Sequence, residues 1–387
     1  MRTGTATVPL DTGKCPYWLF ERMKRLSRGI ILAIREEFGP EEILRRLSDP
    51  AWFQSLGCVI GFDWNSSGLT TTTLGALKEG IRGIESEVGL FICGGKGKTS
   101  KKTPEQIQNW GEFLKIPQER IDKIVYASRI SAKVDTSCLQ DGFQIYHHNL
   151  IFSKSGDWTV VQQGMNKSLQ KARRYHWLSS TIQETYGKLD FIEEPHSGII
   201  SDVRKKHLNL TAEESKKNKE ISAGLAKEEP KNFLRDISFV LEKSDSLMRQ
   251  KRTQNFAEME LNNTEFNWHP VVQEKFDLKR LKKTIDKIHF LQPDDFEQLL
   301  SLEGVGPKTI RALSLVAELI YGAKPSYDDP ARYSFAHGGK DGTPYSVDRS
   351  NYDKTIEILE KGIRKSHTSI REKAEAQKRL LNNFNKS

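Results

Sequence analysis

"DGFQIYHHNLIFSKSGDWTVVQQGMN", residues 141–166, decides how the front half of this chain is read. Two runs rich in aromatic and β-branched residues flank the turn-forming "SKSGD" (153–157), which predicts a β-hairpin. The outgoing strand carries His147 and His148, and the returning strand carries Gln162 and Gln163 roughly opposite. Neighbouring side chains on a strand point to opposite faces, so the two histidines serve different sites unless the strand bulges. Asn166 is expected to cap a helix over "KSLQKARRYHWLSSTIQETY" (167–186), with Lys167, Lys171 and Arg174 near one face and Arg173 and His176 beside it.

Upstream, the pattern alternates. "TGTATVPL" (3–10) has the small-polar and apolar alternation of a short strand. Helical spacing runs through "PYWLFERMKRLSRGIILAIREEF" (16–38) and stops at Gly39. "CVIGFDW" (58–64) reads as a short buried strand ending near Asp63, "LGALKEGIRGIE" (74–85) as a helix, and "GLFICGG" (89–95) as a second buried strand. After the loop "KGKTSKK", Thr103-Pro104 opens a helix, with Gln106 completing a capping box. Together these predict an α/β domain over residues 1–200, a mixed sheet with helices. Residues 201–268 are charged and poor in large apolar side chains, which predicts a solvated helical or flexible connector. Residues 269–387 read as wholly helical, ending in one long charged helix from Tyr352 to about Asn382.

Charge and composition narrow the function. The 60 basic residues outnumber the 51 acidic ones, a net charge of +9, which favours a polyanionic partner such as DNA. No apolar run is long enough for a membrane-spanning helix, and "MRTGTATVPLDTG" lacks a secretory pattern. Cys15, Cys58, Cys93 and Cys138 lie far apart with no CxxC pair, against a zinc knuckle, an iron–sulfur cluster or a disulfide framework. Reduced thiols in a cytoplasm are the simple reading.

The stretch "LLSLEGVGPKTIRAL" (299–313) resembles the helix-hairpin-helix superfamily. Gly304 and Gly306 permit a tight turn with no side chain in the way, and the amides opening the second helix at Thr309 can face a phosphate beside Lys308. Asp294 or Asp295 would cap the first helix. The resemblance implies an all-α helix-hairpin-helix domain that holds nucleic-acid backbone with little base preference. In the glycosylases of that superfamily that work through a Schiff base, the nucleophilic lysine stands directly before the Thr, the place Lys308 holds here, and Asp328 and Asp329 follow about 20 residues on.

The chain as a whole resembles an archaeal and thermophile family catalogued as a domain of unknown function (seven-six-three). That resemblance rests on "TGTATVPL", "GFDWNSSG", "GGKGKTSKKTP", "YHHNLIF", "VVQQGMN", "ARRYHW" and "EEPHSGI". It implies no activity, so the chemistry rests on the residues.

His147, His148 and His176 for proton transfer, Gln163 to orient, and Arg173 and Arg174 for a phosphate would make a phosphodiesterase set, with Asp63 as a further catalytic candidate. Asp63, Asp141 and His196 are candidate ligands for Mg²⁺ or Mn²⁺. Gly97-Lys98-Thr99 copies the end of a phosphate-binding loop but lacks its early glycine, so Lys96 and Lys98 read as a basic loop touching backbone phosphate. The plain alternative is a core hairpin with hydrogen-bonded His and Gln. The expectation is a DNA-processing or repair protein, a candidate nuclease. The alternatives are a non-catalytic binder of structured DNA or RNA, and a base-excision lyase acting through Lys308.

Overall fold

The computed structural model describes residues 15–62, 67–185, 188–253, 275–331, 349–366 and 368–384. The strand expected at 3–10 and the candidate Asp63 lie outside them. Among the described residues, five helices precede the first strand: α1 (Tyr17–Phe38), α2 (Pro40–Leu47), α3 (Pro50–Ile60), α4 (Gly68–Gly80) and the single turn α5 (Glu85–Val88). Their ends follow local chemistry. Gly39, at φ 86°, stops α1, and Pro40 opens α2. The Asp49 carboxylate accepts from the amides of Ala51 and Trp52 to cap α3, and Gly61 closes it at φ 118°. The apolar run at 58–60, expected as a strand, is therefore the last turn of a buried helix. A short apolar run carries no period that separates the two, and the cap decides.

Strand β1 (Leu90–Lys96) follows, then a 3₁₀ turn over Gly97–Lys102, α6 (Thr103–Leu114) and α7 (Gln118–Ser137). Pro104 takes the first turn of α6 as expected, but the capping box does not form. The Thr103 hydroxyl donates to Ser100 O, and Gln106 Oε1 accepts from the Gly94 amide across to β1. The predicted hairpin is β2 (Gln144–Ser153) and β3 (Trp158–Asn166). The next segment is a strand, β4 (Lys171–Leu178), and not the expected helix. Asn166 Oδ1 accepts from the Leu169 amide, closing a turn, and β4 pairs along the whole of β3. Lys, Ala, Arg and Leu favour a helix in isolation, and the ladder with β3 overrides them.

A small ribbon, β5 (Gln183–Thr185) and β6 (Lys188–Asp190), precedes β7 (His196–Ile200). The main sheet runs β1-β2-β3-β4-β7 with every pairing antiparallel, so the sheet is not mixed.

The rest of the chain is helical: α8 (Lys216–Lys227), α9 (Pro230–Thr253), α10 (Leu278–Leu291), α11 (Phe296–Ser301), α12 (Pro307–Leu319), α13 (Arg349–Lys365) and α14 (Ile370–Phe384). The single long terminal helix is thus two. The 201–268 segment is helical over α8 and α9 and keeps charged residues such as Lys216, Lys217 and Glu220 exposed, but Leu208, Leu210, Leu225, Phe233 and Ile237 are buried in the main core. Helix α8 buries small residues, Ser222, Ala223 and Ala226, and Asn218 donates to Ser314 O and Ala323 O at 3.1 and 2.7 Å. Such a face packs closely yet reads as hydrophilic.

Each sheet face has its own core. Phe91, Leu150, Phe152, Val160 and Trp177 pack against α7, α8 and α10–α12. Ile92, Ile151, Val161 and Leu178 pack against α1–α4, α13 and α14. The molecule is a helix–sheet–helix sandwich, and the C-terminal helices contribute to both layers.

Candidate functional site

On the α7 face the polar side chains form a closed network. The stripe Ile121, Ile124, Ser128, Ser131 and Asp135 of α7, continued by its C-cap Cys138, lies at helical spacing against the sheet, and all six are buried. Asp135 receives hydrogen bonds from Gln162 Nε2, from Trp177 Nε1 at 3.1 Å and from His196 Nε2 at 2.5 Å. Gln162 Nε2 also donates to Ser131 O, which fixes the amide with Oε1 toward His148. His148 Nδ1 therefore donates to Gln162 Oε1 at 2.8 Å, and the Ser128 hydroxyl donates to its bare Nε2 at 2.9 Å. Burial lowers the His148 pKa, against the opposing pull of Gln162 and Asp135.

Arg173 and Tyr175 lie further along the same face. The Arg173 guanidinium bonds Asp141 Oδ2 at 2.9 Å, Asp329 Oδ2 at 2.6 Å and Val203 O, and it stacks over Phe143. Burial lowers its pKa, but Asp141, Tyr175 and Asp329 raise it further, for a net rise. Asp141 also accepts from the Tyr175 hydroxyl at 2.7 Å. Of the metal candidates, Asp141 is thus held by protein donors and His196 by the Asp135 carboxylate, and no group of three or more His, Cys, Asp or Glu suited to a metal occurs among the described residues.

The α4 face gathers His147, Gln163, Arg174 and His176. A bulge between Ile145 and His147 turns Tyr146 onto this face too, where its hydroxyl accepts from Gln163 Nε2. Gln163 Nε2 also donates to Ser67 O, and the Thr70 hydroxyl donates to Gln163 Oε1. Arg174 donates to Thr70 Oγ1 at 3.2 Å, to Gln54 Oε1 at 2.9 Å and to His176 Nε2 at 2.9 Å, and it stacks over Phe53. Since a guanidinium only donates, His176 carries its proton on Nδ1 and gives it to Leu47 O. The hydrogen bonds run outward from Arg174 through Thr70 and Gln163 to Tyr146.

No carboxylate meets Arg174 among the described residues, and burial lowers its pKa to about 9. Burial and the Arg174 charge push His176 well below its ordinary value. His147 is 2% exposed, and neither ring nitrogen has a hydrogen-bond partner. Burial, with His148 and Lys96 nearby, lowers its pKa to about 3. Lys96 stands at the exposed end of β1, its ammonium 5.9 Å from the Tyr146 ring, and Lys98 is exposed in the 3₁₀ turn.

The α11–α12 turn lies elsewhere, docked on α7 by Lys133 donating to Leu300 O at 2.6 Å, Gln140 donating to Pro307 O at 2.8 Å and the Tyr126 hydroxyl donating to Glu297. Asp295 caps α11 through the Gln298 amide at 2.8 Å, as expected. Gly304, at φ 90°, and Lys308 are exposed at the tip, while Thr309 is buried in the first turn of α12. Gly306 is the N-cap of α12, with no side chain capping it. Asp329, a partner expected for Lys308, is instead bound to Arg173.

Sequence reasoning missed Asp135, Tyr146 and Thr70. Asp135 had a signal, a carboxylate at core spacing on an apolar helix. Tyr146 had none, because a bulge leaves no mark in the residue pattern.

An antiparallel sheet between two helical layers, with a buried polar network on each face and an exposed glycine turn, defines the class of molecule. The chain belongs to a family of proteins of unknown function (DUF763), whose model matches residues 4–347. No curated protein and no solved structure matches it. No helix among the described residues is long and apolar enough to cross a membrane.

Proposed function

We propose that this chain binds the phosphate backbone of nucleic acid, DNA first, through the α11–α12 turn acting as a helix-hairpin-helix, in a DNA-processing or repair role. One observation carries the reading. The tip presents the exposed Gly304, the half-buried Gly306 and a helix N-terminus that no side chain caps, flanked by lysines. Lys287 of α10 reaches Glu303 O at 3.1 Å on one side, and Lys308 reaches Lys275 O at 3.1 Å on the other. Lys279, Arg280, Lys282 and Lys283 extend the exposed basic surface along α10. The helix dipole at the N-terminus of α12 favours an anion there, and the lack of side chains at the turn lets a phosphate approach.

Gly306 allows a clean test. Its φ of −140° suits any residue, and an added Cβ meets nothing within 4 Å. Gly306→Ala should therefore fold normally yet place a methyl where the phosphate must come. Fluorescence anisotropy with duplex and single-stranded DNA and RNA should show affinity falling about ten-fold, while Lys308→Gln should reduce the salt slope by about 1. Binding that neither substitution weakens would overturn the proposal.

Phosphodiester cleavage in the front half is a second reading, favoured by the two bare nitrogens of His147. A pKa of about 3 makes that imidazole a weak base that stays neutral at pH 7, able to donate or accept a hydrogen bond from a substrate. End-labelled DNA incubated with Mg²⁺, Mn²⁺ or EDTA tests it. His147→Ala should abolish cutting while Gly306→Ala raises only the KM. Borohydride trapping in the same assay tests Schiff-base chemistry at Lys308.

A further inference from the structure

Between α4, β1 and α6 lies a cleft of about 760 Å³, within the range of small-molecule sites. One face of α6 lines it with Gln106, Asn109, Trp110 and Phe113, at spacings of three, one and three residues. Opposite stands Lys78 of α4, above Gly94 of β1.

The Lys78 ammonium touches no carboxylate among the described residues. Its nitrogen donates to Gly94 O at 2.9 Å and to Gln106 Oε1 at 3.0 Å, which leaves the last of its three N–H donors for the cleft. Burial lowers its pKa, against an opposing pull from Cys93 and Glu79. The acids nearby are occupied: Glu79 holds Arg82 at 2.6 Å, and Glu85 accepts the Gly83 amide at 2.8 Å. The aromatic wall is rigid at one end and open at the other. Trp110 packs on the buried Phe91 at 4.9 Å, while Phe113, edge-on to Trp110 at 5.7 Å, is 70% exposed. Asn109 is exposed beside them and can both donate and accept.

We infer that this cleft binds an unpaired nucleotide, its base against Trp110 and Phe113, its base edge at Asn109, and its phosphate at Lys78. An aromatic platform beside an amide is how unstacked bases are held, and the unneutralised ammonium supplies the charge a phosphate requires. The site is separate from the α11–α12 tip and does not depend on it. A free nucleotide and an unpaired residue in a strand share this chemistry.

Calorimetric titration of the full chain with adenosine 5′-monophosphate, adenosine, inorganic phosphate and a 5′-phosphorylated adenine trinucleotide tests the inference. The monophosphate should bind more tightly than adenosine or phosphate, and Phe113→Ala and Asn109→Ala should each weaken it about ten-fold. Both side chains are exposed, so these proteins should fold even if Lys78→Met does not. Where Lys78→Met folds, it should reduce the monophosphate to the affinity of adenosine. A tighter trinucleotide would assign the site to strands, and an equal one to free nucleotides. Gly306→Ala should leave nucleotide binding unchanged, so failure at the tip and failure at the cleft are separable. Absent binding, equal affinity for phosphate and monophosphate, or full binding by Phe113→Ala would each overturn the inference.

Discussion

Arg173 and Arg174 are consecutive residues of one strand, both almost wholly buried, and their surroundings are opposite. Arg173 meets two carboxylates on the α7 face, and its charge is held in place. Arg174 meets an amide, a hydroxyl, an imidazole and the face of Phe53 on the α4 face, and no carboxylate among the described residues. The α7 face is neutralised at Arg173 by its two carboxylates, although Arg173 Nε has no hydrogen-bond partner. The α4 face keeps a buried positive charge and, at His147, two unpartnered nitrogens. Unneutralised charge and unmet hydrogen bonds are costly in a core and are tolerated where a ligand meets them.

The largest effect that tests this contrast is at Arg173. Arg173→Met would leave Asp141 and Asp329 buried without their shared cation, and breaking such a pair from one side costs about 3–5 kcal/mol. Urea denaturation should show that loss at pH 7. A cost below about 1 kcal/mol would mean that the carboxylates are solvated, and the distinction between the faces would fail.

The contrast was only half legible in the sequence. The hairpin, its turn and the rough opposition of His147 and His148 to Gln162 and Gln163 followed from strand-forming runs flanking a turn sequence, and the α1 stop and a cap at Asp294 or Asp295 followed from local chemistry. Three things did not. The strand character of β4 depends on pairing with β3, which overrides the helix-forming Lys, Ala and Arg. The burial of α8 depends on small side chains whose hydropathy resembles a solvated face. The clustering of Gln54, Thr70 and Arg174 joins residues as much as 120 positions apart, and no local pattern encodes such a meeting. The exposed turn at Gly304–Lys308 was legible because its chemistry is confined to a few consecutive residues.

Next in size is the acid limb of stability. His147, His148 and His176 all have folded-state pKa values below their ordinary value. The unfolded chain therefore takes up protons, from about pH 6.5 downward, that the folded chain refuses, so stability is complete above that pH and is lost as pH falls. Each histidine that stays neutral contributes a slope of about 1.4 kcal/mol per pH unit. Urea midpoints from pH 7 to pH 4 should fall accordingly, and His147→Phe, which breaks no protein hydrogen bond, should flatten the limb by about one proton. An unchanged slope would mean that His147 is protonated when folded and has an anionic neighbour.

The smallest effect is the sharpest. Arg174→Met removes a buried charge that no carboxylate balances, which is favourable, and leaves Gln54, Thr70 and His176 each short of a donor, which is not. These terms are opposite in sign and similar in size, so the net change should stay within about 1 kcal/mol. If Arg174→Met instead costs as much as Arg173→Met, the α4 face holds a counter-charge of its own, and the two faces are built alike.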